Sequence, residues 1–201
     1  MQFKTKILMA LLMISAMGAP ALADHHQEKK HTPDAATIMA HAPMRQARMN
    51  ELLKTGEMSV SLMKLAHKQM DSAIAKKDHS AVEKALETFQ AARHLHHENK
   101  QTMDKMSEHL NQHLQDIKAG KIALSAEQAN TFEKEVTLFT QQVKAYEADC
   151  HTNVRPKNQA MRKQALAFLM EDFAAAQKAE QADKMVHIAK IMKLLPPFKE
   201  H

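Results

Sequence analysis

Apolar residues recur along this chain at three- and four-residue steps. Val60, Met63, His67, Met70 and Ile74 form one series, and Phe89, His96, Met103, Leu110 and Ile117 recur every seven residues. Phe132, Val136, Phe139, Val143, Tyr146 and Cys150 form a third series. Such spacing sets each series on one face of a helix and buries it in a bundle seam. No segment alternates with the two-residue period of a strand.

Punctuation divides the pattern. Between Pro43 and Pro156 there is no proline, and the only glycines are Gly56 and Gly120. The spacing predicts a short helix from about Pro43 to Thr55, ending near Gly56, and a second from Glu57 to about Lys77. Ser80-Ala81-Val82-Glu83 is a capping-box pattern that opens a third helix. That helix continues to Gly120, about 38 residues and roughly 57 Å. Ser125-Ala126-Glu127-Gln128 opens a fourth, running to about Val154, where Arg155-Pro156 stops it. Lys157 to Glu180 and Asp183 to Leu195 complete the set, the last ended by Pro196-Pro197. Short turns make neighbours antiparallel. The expected fold is all-α: an antiparallel up-and-down bundle over residues 43–155 with a C-terminal helical hairpin extension over 156–201.

The first 23 residues predict a cleavable secretory signal. Lys4 and Lys6 form its positive end, Ile7 to Met17 its apolar run, and Ala21-Leu22-Ala23 its cleavage site. The run is about half the roughly 20 residues a membrane span needs. These features predict an exported, periplasmic protein with no stable membrane insertion after cleavage. Residues 24–36 are polar and aperiodic and contain Pro33, which predicts a flexible, His-containing tail leading to the bundle.

Composition narrows the chemistry. The chain has 201 residues, enough for one domain, and a formal charge of +5, too small to argue for nucleic acid. With no Trp and one Tyr it lacks base-stacking surfaces. One Cys excludes an internal disulfide or a CxxC motif, while 14 His and 16 Met are unusual. There is no GxSxG and no phosphate-cradling glycine loop, so nothing points to an enzyme.

Three seam members are not ordinary core residues: His67, His96 and Cys150. Folding the second helix on the third about residue 79 sets His67 opposite residue 91. Folding the third on the fourth about 121–122 sets residue 92 opposite residue 151. His67, the Arg93–His97 segment and the Cys150-His151 pair then fall within about two helical turns, with Met63 and Met70 one turn either side of His67. Such donors suit Cu(I), Zn or a haem iron. A hydrogen-bonded core histidine and a buried cysteine acting as a small hydrophobe explain the same pattern, and both alternatives stay open.

Cleavage after Ala23 exposes Asp24-His25-His26. A free amine, two backbone amides and a third-position His give four nitrogens in a plane, which selects Cu(II) or Ni(II). This terminus resembles the amino-terminal copper and nickel motif of serum albumins, and His31 adds a further donor. His109 and His113, at i, i+4, share a face; they can hold one ion but need further ligands. His94 and His97, with Glu98, are the other close set. For both, an exposed, unoccupied face is the simpler expectation. His41, His79, His187 and His201 carry no usable pattern.

Two short stretches carry family resemblances. Leu124-Ser125-Ala126-Glu127-Gln128 is similar to the LTxxQ motif of periplasmic stress chaperones of the Spy/CpxP type, with Ser for Thr. That resemblance implies an exported helical protein with client partners. Cys150-His151-Thr152-Asn153-Val154-Arg155 resembles the end of the haem motif of cytochrome c′-type four-helix bundles, implying His151 as a haem ligand. Glu147 stands at the first cysteine position, so a two-thioether haem attachment cannot form, and haem is disfavoured as a cofactor.

The leading expectation is an exported transition-metal binding or buffering protein, copper first, with zinc or nickel next. Its sites are the Asp24-His25-His26 terminus and an interior cluster of His67, His96 and Cys150 with Met63, Met70 or His151. The alternatives are a stress chaperone or adaptor of Spy/CpxP type, then a haem-binding bundle.

Overall fold

The computed structural model describes residues 34–195, and these are helical almost throughout with no strand. The expected leader, the Asp24-His25-His26 terminus, His31, His201 and the Pro196-Pro197 stop lie outside the described residues. The elements are α1 (Ala35–Ala40), α2 (Ala42–Ala75), α3 (His79–Lys118), α4 (Ala126–Asp149), a π turn (Cys150–Val154), α5 (Arg155–Lys178) and α6 (Ala182–Met192).

Three sequence expectations change. First, α2 runs through Gly56 as one helix of 34 residues. Its glycine serves a close approach: a Cβ there would sit 3.0 Å from Tyr146 Cζ and 3.3 Å from Asn99 Nδ2. Second, α3 opens at Asp78, whose side chain accepts from the Ala81 N–H, not at Ser80. Third, Arg155-Pro156 does not stop the chain. The backbone widens to a π turn, with the Arg155 N–H reaching the Cys150 carbonyl. Pro156 then occupies the first turn of α5, where a missing N–H costs little. Helix is therefore continuous from Ala126 to Lys178. Part of the expected tail is also ordered as α1, capped by Asp34.

The all-α bundle is thus built on three long rods: α2, α3 antiparallel to it, and α4–π–α5 parallel to α2. Contacts between Arg45 and Glu135 and between His67 and Asn158 fix that parallel register, and Lys118–Glu133 and His79–Asp172 fix the antiparallel one. The expected C-terminal hairpin exists as α5 and α6, but it packs into the bundle, with Met161, Leu169, Ile188 and Ile191 joining Val82 and Leu86.

Three helix ends share one motif. The C-terminal N–H groups of α2, α3 and α5 fold back as Asp78→Ala73, Lys121→Asp116 and Gln181→Ala176, around left-handed Lys77, Gly120 and Glu180. The Ser125 capping box forms with both of its hydrogen bonds.

The interior divides in two. One half packs Met103, Leu110, Phe132, Val136, Phe139 and Val143 against Met49 and Leu52. The other packs Val60, Met63, Met70, Phe89, Val154 and Met161 with the hairpin residues. Tyr146 borders both. Around it lie Gly56 and the only two buried polar residues among those described, Ser59 and Asn99.

Candidate functional site

A cavity of about 450 Å³ opens at this dividing level. Its floor includes Met63, Phe89 and Val154, and its walls include His96, Tyr146, Cys150 and His151. Arg93, Arg155 and Arg162 give it a cationic rim. Lys100 also lines it but is committed to Asp104 at 2.8 Å and Glu147 at 2.6 Å.

The cavity lies where the α4 stripe meets the π turn. Through Val143 the α4 stripe is buried, but Tyr146 and Cys150 on the same spacing are only partly so. The π turn that follows re-aims the chain so that Val154 is buried again, and such turns are common at functional sites.

A chain of hydrogen bonds fixes one histidine. Ser59 Oγ gives its hydrogen to the Gly56 carbonyl at 2.7 Å. The Tyr146 hydroxyl lies 3.4 Å from Ser59 Oγ and makes a much closer contact with His96 Nδ1. His96 is thus anchored through Nδ1, and Nε2 is the ring nitrogen left for another partner. Burial, then Lys100 and His97, hold this imidazole below the ordinary histidine range, so it is neutral near pH 7. Burial pushes the Tyr146 phenol up, so it keeps its proton.

Cys150 meets the same hydroxyl. His96 and Cys150 thus both border Tyr146 on the same cavity. Burial pushes the thiol up, against the lowering effect of Tyr146, so it is protonated until a ligand displaces the hydrogen.

Of the expected interior set, Met63, His96, Cys150 and His151 line one cavity; His67 and Met70 do not. His67 stands behind the wall, its Nε2–H donating to Asn158 Oδ1 at 2.7 Å, while Asn158 Nδ2 reaches Met63 Sδ at 3.5 Å. Met70 is wholly buried in the core. Among the described residues no group of three or more His, Cys, Asp or Glu is arranged to hold a metal. Any ion in the cavity needs the Met63 thioether or an outside ligand. The sequence pattern missed Asn158, Ser59 and the arginines; the lone Tyr on a seam was the one available signal.

No helix among the described residues is long and apolar enough to cross a membrane. Comparison with protein-family models, with curated proteins and with solved structures returned no match.

Proposed function

We propose that this is an exported transition-metal binding and buffering protein, copper first, in which Met63, His96 and Cys150 take Cu(I) in the cavity. The supporting observation is that His96, anchored through Nδ1 by Tyr146, lines one cavity with a thiol and a thioether. Nitrogen, thiolate and thioether donors suit Cu(I), and an outer partner that fixes the imidazole is what metal-binding histidines require. Charge separates the candidates. Cu(I) on a thiolate adds no net charge beside Arg93, Arg155 and Arg162, whereas Zn(II) on one thiolate adds a positive one. Zinc therefore ranks second. His151, exposed at the cavity mouth, is the donor that meets an incoming ion.

The volume and the three arginines favour a second reading, a small organic anion in the same cavity. Titration with Cu(I) against a chromogenic competitor separates the two. The metal reading expects one Cu(I) per chain at the cavity, weakened about a hundredfold or more in Cys150→Ser, and at least about tenfold in Tyr146→Phe, the loss typical of an outer partner. Unchanged affinity in Cys150→Ser overturns it. An organic adduct in the native mass spectrum supports the anion instead. Suppression of client aggregation that survives chelation supports the stress-chaperone alternative.

A further inference from the structure

His109 and His113 lie on α3 about 20 Å along the helix from His96, in the other half of the bundle. Their Nε2 atoms are 2.8 Å apart and their ring centroids 4.2 Å apart. Two nitrogens bound to one ion at about 2.0 Å and at a right angle stand about 2.8 Å apart, whereas a tetrahedral angle sets them about 3.3 Å apart. The observed separation is the right-angle one, which belongs to the square-planar preference of Cu(II) and Ni(II). Without metal the same separation is an N–H···N hydrogen bond, so the two rings are already held at the bite distance. An ion takes that place when the donor ring shifts its hydrogen from Nε2 to Nδ1, at little cost in ordering entropy.

The surroundings permit it. His113 is partly buried, and burial followed by His109 keeps its imidazole below the ordinary histidine range, with Asp116 opposing and Arg45 assisting. Arg45, the nearby cation, is tied to Glu135 at 2.7 Å. Asp116 is held by Lys121 at 3.0 Å and Gln112 at 3.3 Å, which keeps it beside the pair as an ionised carboxylate already occupied by other donors. His109 is exposed, so the open positions of the ion face water.

We infer that His109 and His113 form a bidentate surface site for Cu(II), and more weakly Ni(II), with water or an external donor completing the plane. The inference uses none of the cavity residues, so either site can fail without the other. The test is Cu(II) titration of the full chain carrying His25→Ala and His26→Ala, which silences the amino-terminal motif, read by electron paramagnetic resonance. The expected result is a bound Cu(II) with two imidazole nitrogens, binding at least tenfold tighter than Zn(II). His109→Ala and His113→Ala should each weaken it at least tenfold, and His94→Ala, an exposed histidine on the same helix, should leave it unchanged. Both positions are on a helix surface, and an unaltered circular dichroism spectrum certifies the fold. Cu(II) affinity and spectrum unmoved in both histidine variants, or Zn(II) binding as tightly as Cu(II), overturns the inference.

Discussion

From Phe132 to Val143 the α4 stripe is buried in an apolar cluster with residues of α2 and α3, and the Arg45–Glu135 pair covers its Phe132 end. One turn further on, the stripe continues with the same spacing through Tyr146 and Cys150, yet both are partly open and a cavity stands beside them. The same three rods pass through both halves. What differs is a wider turn at Cys150–Val154 and a polar layer of Ser59, Asn99, His96 and Tyr146. The stripe opens at the level where polar side chains, not apolar ones, meet across the seam.

Truncation draws the sharpest contrast between the halves. Phe139→Ala removes a side chain that is 1 % exposed and should cost about 3–5 kcal/mol in denaturant unfolding. Cys150→Ala, on the same stripe but beside an existing cavity, should cost under about 1 kcal/mol, because the void it would leave is already there. Equal losses would erase the distinction.

Gly56 tests the dividing layer itself. Alanine gains roughly 1 kcal/mol of helix propensity but puts a methyl 3.0 Å from the Tyr146 ring. A net loss of about 1–2 kcal/mol is expected, with weaker Cu(I) binding as the ring shifts. A net gain in stability would mean that Tyr146 is not held there.

Acid should weaken the fold through its histidines. His67, His96 and His113 are all held below the ordinary value of 6.5, chiefly by burial. The unfolded chain therefore takes up protons first. Their contribution is whole above 6.5 and is lost as pH falls towards and through the lower folded values. Unfolding followed from pH 7.5 downwards should show that loss, and His96→Gln should flatten it. An identical slope in the variant removes His96 from the account.

The smallest effect concerns the closing turns. Gly120 supplies its left-handed conformation freely, whereas Lys77 and Glu180 adopt it with side chains attached. Lys77→Gly should raise stability by about 0.5–1 kcal/mol, while Gly120→Ala should lower it by a similar amount. Opposite signs at the two ends of α3 are what thermal melts should show.

The same turns explain what was legible in the chain. Gly120 and the Ser125 box mark the α3–α4 turn, and the structure has it there. Lys77 and Glu180 carry no such mark, because their left-handed conformation is imposed by the packed helices on either side. Gly56 has the form of a break and is a contact; Pro156 has the form of a stop and is a helix start. The deciding neighbour is invisible in a linear pattern, Tyr146 in one case and the π turn in the other. The level of the candidate site came through well, since His67 packs on Phe89 and His96 on Tyr146 close to the heights expected from the turns. The donor set came through less well. Periodicity ranks residues by face but says nothing about hydrogen-bond partners, so it gave His67 and His96 equal weight, although Asn158 occupies one and a tyrosine orients the other.

The central claim is that His96, anchored to Tyr146 through Nδ1, offers Nε2 to Cu(I). Long-range proton–nitrogen NMR of the imidazole side chains, before and after Cu(I) is added, tests it most directly. One equivalent of Cu(I) should move the His96 Nε2 resonance and leave the ring hydrogen on Nδ1. An Nε2 resonance unmoved by Cu(I) would contradict it.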